Sequence, residues 1–119
     1  MLQKKSKAHP IDFCRVRLCK IFHIFKGFKH QYALLGQFIK ASLRTFDKKS
    51  LLKKGQQAKG IVVRLKKSQI KADFSQLFLK KNCVVLLKKR LTPIGRELVG
   101  PTSFGLRRRK FTNSFAGVL

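Results

Sequence analysis

The sequence predicts a mainly β fold, a single small barrel or sandwich. Three observations predict it. The apolar runs are short, several of them alternate with polar residues at a period of two, and turn residues separate them with no long stretch of helical period. A length of 119 residues suits one domain, 1–119, and neither an internal repeat nor a composition break divides it.

In chain order, residues 16–25 are rich in Val, Ile and Phe and predict a strand. The alternation breaks near Cys19 and Lys20, which predicts a bulge. Gly27 and the stretch ending in Gly36 punctuate the chain before a second strand at 38–44. There Ile39, Ala41 and Leu43 share one face, and Lys40, Ser42 and Arg44 share the other. Lys53-Lys54-Gly55 reads as a basic turn. Residues 61–65 predict a short strand with Ile61, Val63 and Leu65 inward and Arg64 outward. Two more strands are predicted at 77–79 and 82–87. Pro93, Gly95, Gly100 and Pro101 then mark a loop-rich stretch, after which 102–110 predict one or two short helices.

Charge bounds the function. Lys and Arg number 29 against four acids, giving a formal net charge of +25 and a pI of about 11.2. A compact chain so unbalanced repels itself and requires counter-charge. A nucleic-acid backbone is the densest source, and an anionic membrane surface is the other candidate. A merely solvated surface mixes signs, and this one does not. The four acids, Asp12, Asp47, Asp73 and Glu97, lie 35, 26 and 24 residues apart. So few carboxylates argue against paired acid–base catalysis and against a carboxylate-bound metal. No enzyme, catalytic residue, cofactor or small-molecule substrate is therefore expected.

Three cysteines make no complete disulfide framework. Cys14, Cys19, His23 and His30 invite a zinc reading, but Cys14 and Cys19 are spaced more widely than a finger knuckle, and Arg15-Val16-Arg17-Leu18 between them reads as strand. No metal is predicted. The apolar runs, such as Ile61-Val62-Val63 and Cys83-Val84-Val85-Leu86-Leu87, fall far short of the about 20 residues of a spanning helix, and no membrane partner is expected. Most of the eleven Phe residues should be core; Phe28, Phe74 and Phe104 sit beside turn residues and are expected at the surface.

The cations interleave with the strands. Arg64, Lys66 and Lys67 end one, and Lys88, Lys89 and Arg90 end another. Such a basic rim on a small barrel can track a phosphate backbone, with Arg forking onto phosphate oxygens or stacking on bases.

These residues also carry a resemblance. Leu52-Lys53-Lys54-Gly55, followed by Ile61-Val62-Val63-Arg64-Leu65-Lys66-Lys67, resembles the central block of the universal large-subunit ribosomal protein family L-fourteen, in its bacterial and organellar form. Asn82-Cys83-Val84-Val85-Leu86-Leu87, Pro93-Ile94-Gly95, Gly100-Pro101, Leu106-Arg107 and Lys110-Phe111 follow at the family's spacing. Met1-Leu2-Gln3, Gly36 and the closing Val118-Leu119 also fit. Three places depart. The family's Asp-Asn-Ser-Gly-Ala turn reads Asp12-Phe13-Cys14-Arg15, its Arg-Pro-Asp-Gly turn becomes Lys71-Ala72-Asp73-Phe74, and its Arg-Phe-Asp strand end becomes Leu79-Lys80-Lys81.

The resemblance implies a five-stranded β-barrel with a protruding β-hairpin and short C-terminal helices. It implies a place in the large ribosomal subunit at the subunit interface, bound to large-subunit rRNA. Packing against the L-three and L-nineteen protein families, and a bridge to small-subunit rRNA, are implied too. On that reading Lys53, Lys54, Arg64, Lys66, Lys67 and Arg96 hold large-subunit phosphates. Arg107, Arg108, Arg109 and Lys110 face the intersubunit bridge or a neighbouring protein. The alternative is a free single-strand nucleic-acid-binding protein on a similar barrel, which would not co-sediment with ribosomes at high salt.

Composition also speaks to the compartment. Twenty Lys and eleven Phe, both writable with AT-only codons, together with no Trp, suggest an AT-rich genome. The divergent N-terminal turn suggests an organelle. The chain begins where the family begins, which leaves no room for a presequence and predicts a protein encoded and made in the mitochondrion, ribosome-bound in the matrix. Plastid members keep the N-terminal turn better.

Overall fold

The structure is a computed structural model that describes residues 2–12, 14–25, 27–28, 30–50, 52–95 and 97–102, with the backbone of 117–118. Its strands are β1 (Leu2–Gln3), β2 (Lys7–Pro10), β3 (Val16–Ile24), β4 (Tyr32–Ala33), β5 (Phe38–Phe46), β6 (Gln57–Arg64), β7 (Gln69–Ile70), β8 (Gln76–Leu77), β9 (Cys83–Leu87), β10 (Pro101–Thr102) and β11 (Gly117–Val118). Five of them close a barrel in the order β2–β3–β5–β6–β9. Four seams are antiparallel, and the closing seam from β9 to β2 is parallel, with His9 opposite Cys83. Closure leaves these strands no free edge. The five-stranded barrel and the hairpin implied by the resemblance are both present.

The period-two pattern of 38–44 is realised in full. Ile39, Ala41 and Leu43 are completely buried inside the barrel, where they meet Ile21 and Ile24 of β3 and Leu86 of β9. Register shifts between Leu18 and Cys19 and between Ile21 and His23 place bulges in β3, the first where the alternation breaks. Gly55 takes the left-handed backbone (φ +81°) that closes the β5–β6 turn, and its N–H donates to the Leu43 carbonyl at 2.9 Å.

β6 differs from the expectation. Ile61 and Val63 do not face the barrel interior; they join an outer apolar cluster with Val85, Leu87 and Leu98. Val62 points inward instead, with Val84 and Leu86. A register shift between Val62 and Arg64 then returns Leu65 to the inner side. The physical reason is coverage. The segment around Leu91 and Leu98, with Ile11 and Phe38, roofs the outside of β6 and β9, so Gly60 to Val63 and all five residues of β9 are buried. A strand buried on both faces is a continuous apolar run, which alternation cannot orient.

The strand expected at 77–79 is only Gln76–Leu77, paired with Gln69–Ile70 as the two-rung hairpin β7–β8. β1, β2 and β4 leave no signal in the sequence, because two to four residues are too few to show a period. Of the stretch 102–110 expected to form one or two short helices, Thr102 belongs to strand β10, and residues 103–110 lie outside the described residues.

Candidate nucleic-acid interface

The pleat of the barrel decides which cations face outward. Ala8, Cys19 and Ala41 are buried, so their neighbours Lys7, Lys20, Lys40 and Ser42 stand on the outer wall. Strand pairing lines them up in two rows. One runs Lys7, Lys20, Ser42, Gln57 across β2, β3, β5 and β6. The other runs His23, Lys40, Lys59 across β3, β5 and β6. Each row holds two lysines directly opposite one another, with Cβ atoms about 5 Å apart, an arrangement that destabilises a free sheet.

No acid relieves this repulsion among the described residues. Asp47 pairs with Arg17, Asp12 is buried, Asp73 is occupied by Ser75 on the hairpin, and exposed Glu97 forms no salt bridge among the described residues. Aromatic rings hold the wall's charge in place without cancelling it. The Lys59 ammonium lies 4.7 Å from the Phe38 ring centroid and 5.2 Å from that of Phe25, and His23 packs edge-on against Phe25.

The sequence-predicted residues divide between the two ends of the barrel. Lys53 and Lys54 are exposed on the β5–β6 turn. Lys88, Lys89 and Arg90 are exposed at the same end, because β9 runs antiparallel to β6 with Leu87 opposite Lys59. An open groove of about 570 Å³ lies between them, floored by Leu43, Leu52, Leu91 and Ile94. Arg64, Lys66 and Lys67 lie at the other end of β6, roughly 23 Å away along the strand. Lys66 and Lys67 are exposed at the base of the hairpin, facing the chain from Lys80 and Lys81, and the Lys66 N–H donates to Asn82 Oδ1 at 2.7 Å.

Arg64 is engaged within the protein. Its Nε donates to the Pro101 carbonyl at 2.6 Å and its guanidinium also donates to the Val99 carbonyl. Arg96 and the run Arg107, Arg108, Arg109 and Lys110 lie outside the described residues. The outer-wall lysines Lys7, Lys20 and Lys59 escaped the sequence reading. Lys40 was legible as an outward residue, but their mutual opposition depends on strand register.

The cysteines belong to the core. Cys19 Sγ donates to the Ala8 carbonyl and Cys14 Sγ to Asp12 Oδ1, each at 3.4 Å. Burial pushes both thiols up to about 12, so they stay neutral and unreactive. Among the described residues no three His, Cys, Asp or Glu side chains gather where a metal could be held.

Asp12 ties the N-terminal turn to the C-terminal strap, accepting a hydrogen bond from the Gly95 N–H at 3.0 Å. Burial raises its carboxyl above the ordinary value, outweighing the hydrogen bonds that lower it. The folded state therefore holds the proton to higher pH than the unfolded chain, and Asp12's contribution to stability falls as pH rises from the unfolded value through the folded one. Asp12→Asn keeps an acceptor for Gly95 but does not ionise. Thermal melts from pH 3 to 7 should show wild type losing ground to the variant as pH rises, with the variant equal or a few degrees higher at pH 7. Parallel pH profiles would assign the ionisation cost elsewhere.

The chain was compared with known proteins. The model of the family described as Ribosomal protein L14p/L23e matches residues 1–116. A relative from Tetrahymena pyriformis, named large ribosomal subunit protein uL14m, is 40% identical over 117 residues, which span 98% of this chain and 98% of that one. A family match over nearly the whole length, together with the closed five-stranded barrel and its basic wall, means that the chain belongs to the ribosomal protein L14p/L23e family.

Proposed function

We propose that this chain, a structural protein of the large ribosomal subunit and not an enzyme, holds large-subunit rRNA against its barrel wall and both basic ends. It works in the mitochondrial ribosome, encoded by an AT-rich organelle genome. The observation that carries the RNA contact is the pair of like-charged lysine rows, Lys7–Lys20 and Lys40–Lys59, without an acid to relieve them. Bound phosphates would turn that repulsion into attraction, and the counterions they release would add a favourable entropy. Lys53 and Lys54 at one end and Lys66 and Lys67 at the other extend the track, and Arg96 adds a further phosphate contact. The run Arg107 to Lys110 reaches small-subunit rRNA or a neighbouring protein, and the L-three and L-nineteen families supply the protein contacts. The compartment rests on the Lys and Phe bias and on the relative's designation uL14m.

Electrostatics alone would make such binding fragile. With 6–10 phosphate contacts, affinity falls by roughly 10³–10⁵ between 50 and 200 mM salt, so lasting incorporation needs shape fit and protein neighbours as well. Ultraviolet cross-linking of intact mitochondrial ribosomes, followed by peptide mapping, tests the reading. Peptides from β3, β5 and β6 should attach to large-subunit rRNA, and the peptide holding residues 107–110 to small-subunit rRNA or an adjacent protein. Outer-wall peptides found only in protein–protein cross-links would refute the RNA face.

A further inference from the structure

The tip of the β7–β8 hairpin holds a side chain at a backbone position that disfavours it. Phe74 has φ +62°, in the left-handed region, where Gly is free of strain and a bulky residue is an outlier. The turn is nonetheless well fixed. The Phe74 N–H donates to the Lys71 carbonyl at 3.0 Å, and the Lys71 N–H to the Ser75 carbonyl at 2.9 Å. The Asp73 carboxylate accepts from the Ser75 N–H at 3.1 Å and from its hydroxyl at 2.6 Å. This local network holds the ring clear of the protein, and Phe74 is 88% exposed, flanked by exposed Ile70 and Phe78.

A strained backbone that presents an apolar ring to water stabilises nothing within the chain. Such a feature points to a partner that engages the ring. The flanks identify its chemistry. Between residues 66 and 81 the cations are Lys66, Lys67, Lys71, Lys80 and Lys81, and the one acid, Asp73, is held by Ser75. An apolar protein pocket would have to bury or face these charges, whereas a single nucleic-acid strand offers phosphates to the lysines and base faces to the ring. Phe28 is as exposed, at 89%, but its backbone is not in the left-handed region and carries no such argument.

We propose that Phe74 is a base-stacking residue, presented by the hairpin tip to an unpaired nucleobase while the lysines at the hairpin base track the adjoining phosphates. This rests on the RNA-binding reading above and adds to it a single-stranded target and a named contact.

The chain contains no Trp, so Phe74→Trp provides a single indole at the tip, excited selectively over Tyr32. The full-length variant is titrated with a single-stranded 20-nucleotide RNA of mixed sequence and with the blunt duplex of that sequence. Stacking predicts strong quenching by the single strand and little by the duplex. Phe74→Gly relieves the backbone, so its melting midpoint should equal or exceed that of wild type. Its affinity for the single strand should fall about tenfold, with the dependence on log salt unchanged because the phosphate contacts remain. Equal quenching by both RNAs, or unchanged affinity in Phe74→Gly, overturns the stacking role while leaving the RNA-binding reading intact. Unchanged affinity with poorer incorporation into large subunits would assign the ring to a protein pocket instead. Absence of salt-dependent binding by wild type to either RNA would overturn both.

Discussion

Replacing Arg64 with alanine is expected to lower the melting midpoint of the full-length chain by about 10 °C. Arg64 leaves the end of β6 and donates to the carbonyls of Val99 and Pro101, 35 and 37 residues away in sequence. Hydrogen bonds from a charged donor contribute about 1.5–3 kcal/mol each, and partial exposure places this pair near the lower bound, about 3 kcal/mol together. A domain of this size loses roughly 3–4 °C per kcal/mol. The loss falls on the strap, which roofs β6 and β9 through Leu98 and anchors through the buried Thr102, whose hydroxyl donates to the Val63 carbonyl at 3.3 Å. Arg64→Lys should rescue little, because a compact ammonium lacks the spread, planar fork that reaches two separate carbonyls from one fixed side chain.

Gly100 supplies an independent check of the same clamp. Its φ is +82°, and a Cβ built there would collide with the Arg64 guanidinium. Gly100→Ala should therefore lower the melting midpoint as well, and the double variant should fall short of the sum of the two losses, because both break one device and only the left-handed strain at position 100 adds to it. Differential scanning fluorimetry reads all three. A shift under 2 °C for Arg64→Ala, or additive losses, would remove Arg64 from that role. The variant also bears on the phosphate role that the resemblance implies for Arg64. If the guanidinium additionally meets a phosphate, the slope of log affinity against log salt shrinks by about 0.9; if the carbonyls occupy it, the slope holds.

Arg64 marks the boundary of what the sequence makes legible. Its outward direction follows from its neighbours, but its partners are backbone carbonyls of a distant strap, and carbonyls leave no signature in side-chain pattern. β5 is legible in full, since Ile39, Ala41 and Leu43 face the barrel interior and the opposite face is wet. β6 and β9 are legible as strands yet not in orientation, because the strap dries their outer side and erases the alternation. The basic character of the surface is plain from composition. The rows on it are not, since opposition of Lys40 to Lys59 depends on register, which the bulges of β3 and the turn at Gly55 set jointly. The exposed Phe28 and Phe74 follow from adjoining turn residues, and Phe104 lies outside the described residues. The expectation that most Phe are core fails: Phe22, Phe25 and Phe78 are exposed too, and no described Phe is fully buried, because aliphatic side chains fill the barrel. The left-handed backbone of Phe74 emerges only in three dimensions.

Lys40 offers the most discriminating test of the wall, because stability and binding should move in opposite directions. Across the strands it faces Lys59 on one side and His23 on the other. Lys40→Glu replaces repulsion with a cross-strand attraction, which stabilises the free protein by about 0.5–1 kcal/mol, or roughly 2–4 °C in the melting midpoint at low salt. On rRNA the same change removes one phosphate contact and sets a carboxylate against the backbone. Affinity for a large-subunit rRNA transcript at 150 mM salt should fall at least tenfold, and the log–log salt slope should shrink by about 1–2. Lys40→Gln should lie between on both scales. A residue that merely supports the barrel would lower stability and affinity together when reversed. Opposite signs instead identify lysines retained at a cost to the free chain because an anion covers them when the subunit is built. Greater stability with unchanged affinity would show that the RNA lies elsewhere, and the wall would then lose its claim to be the contact face.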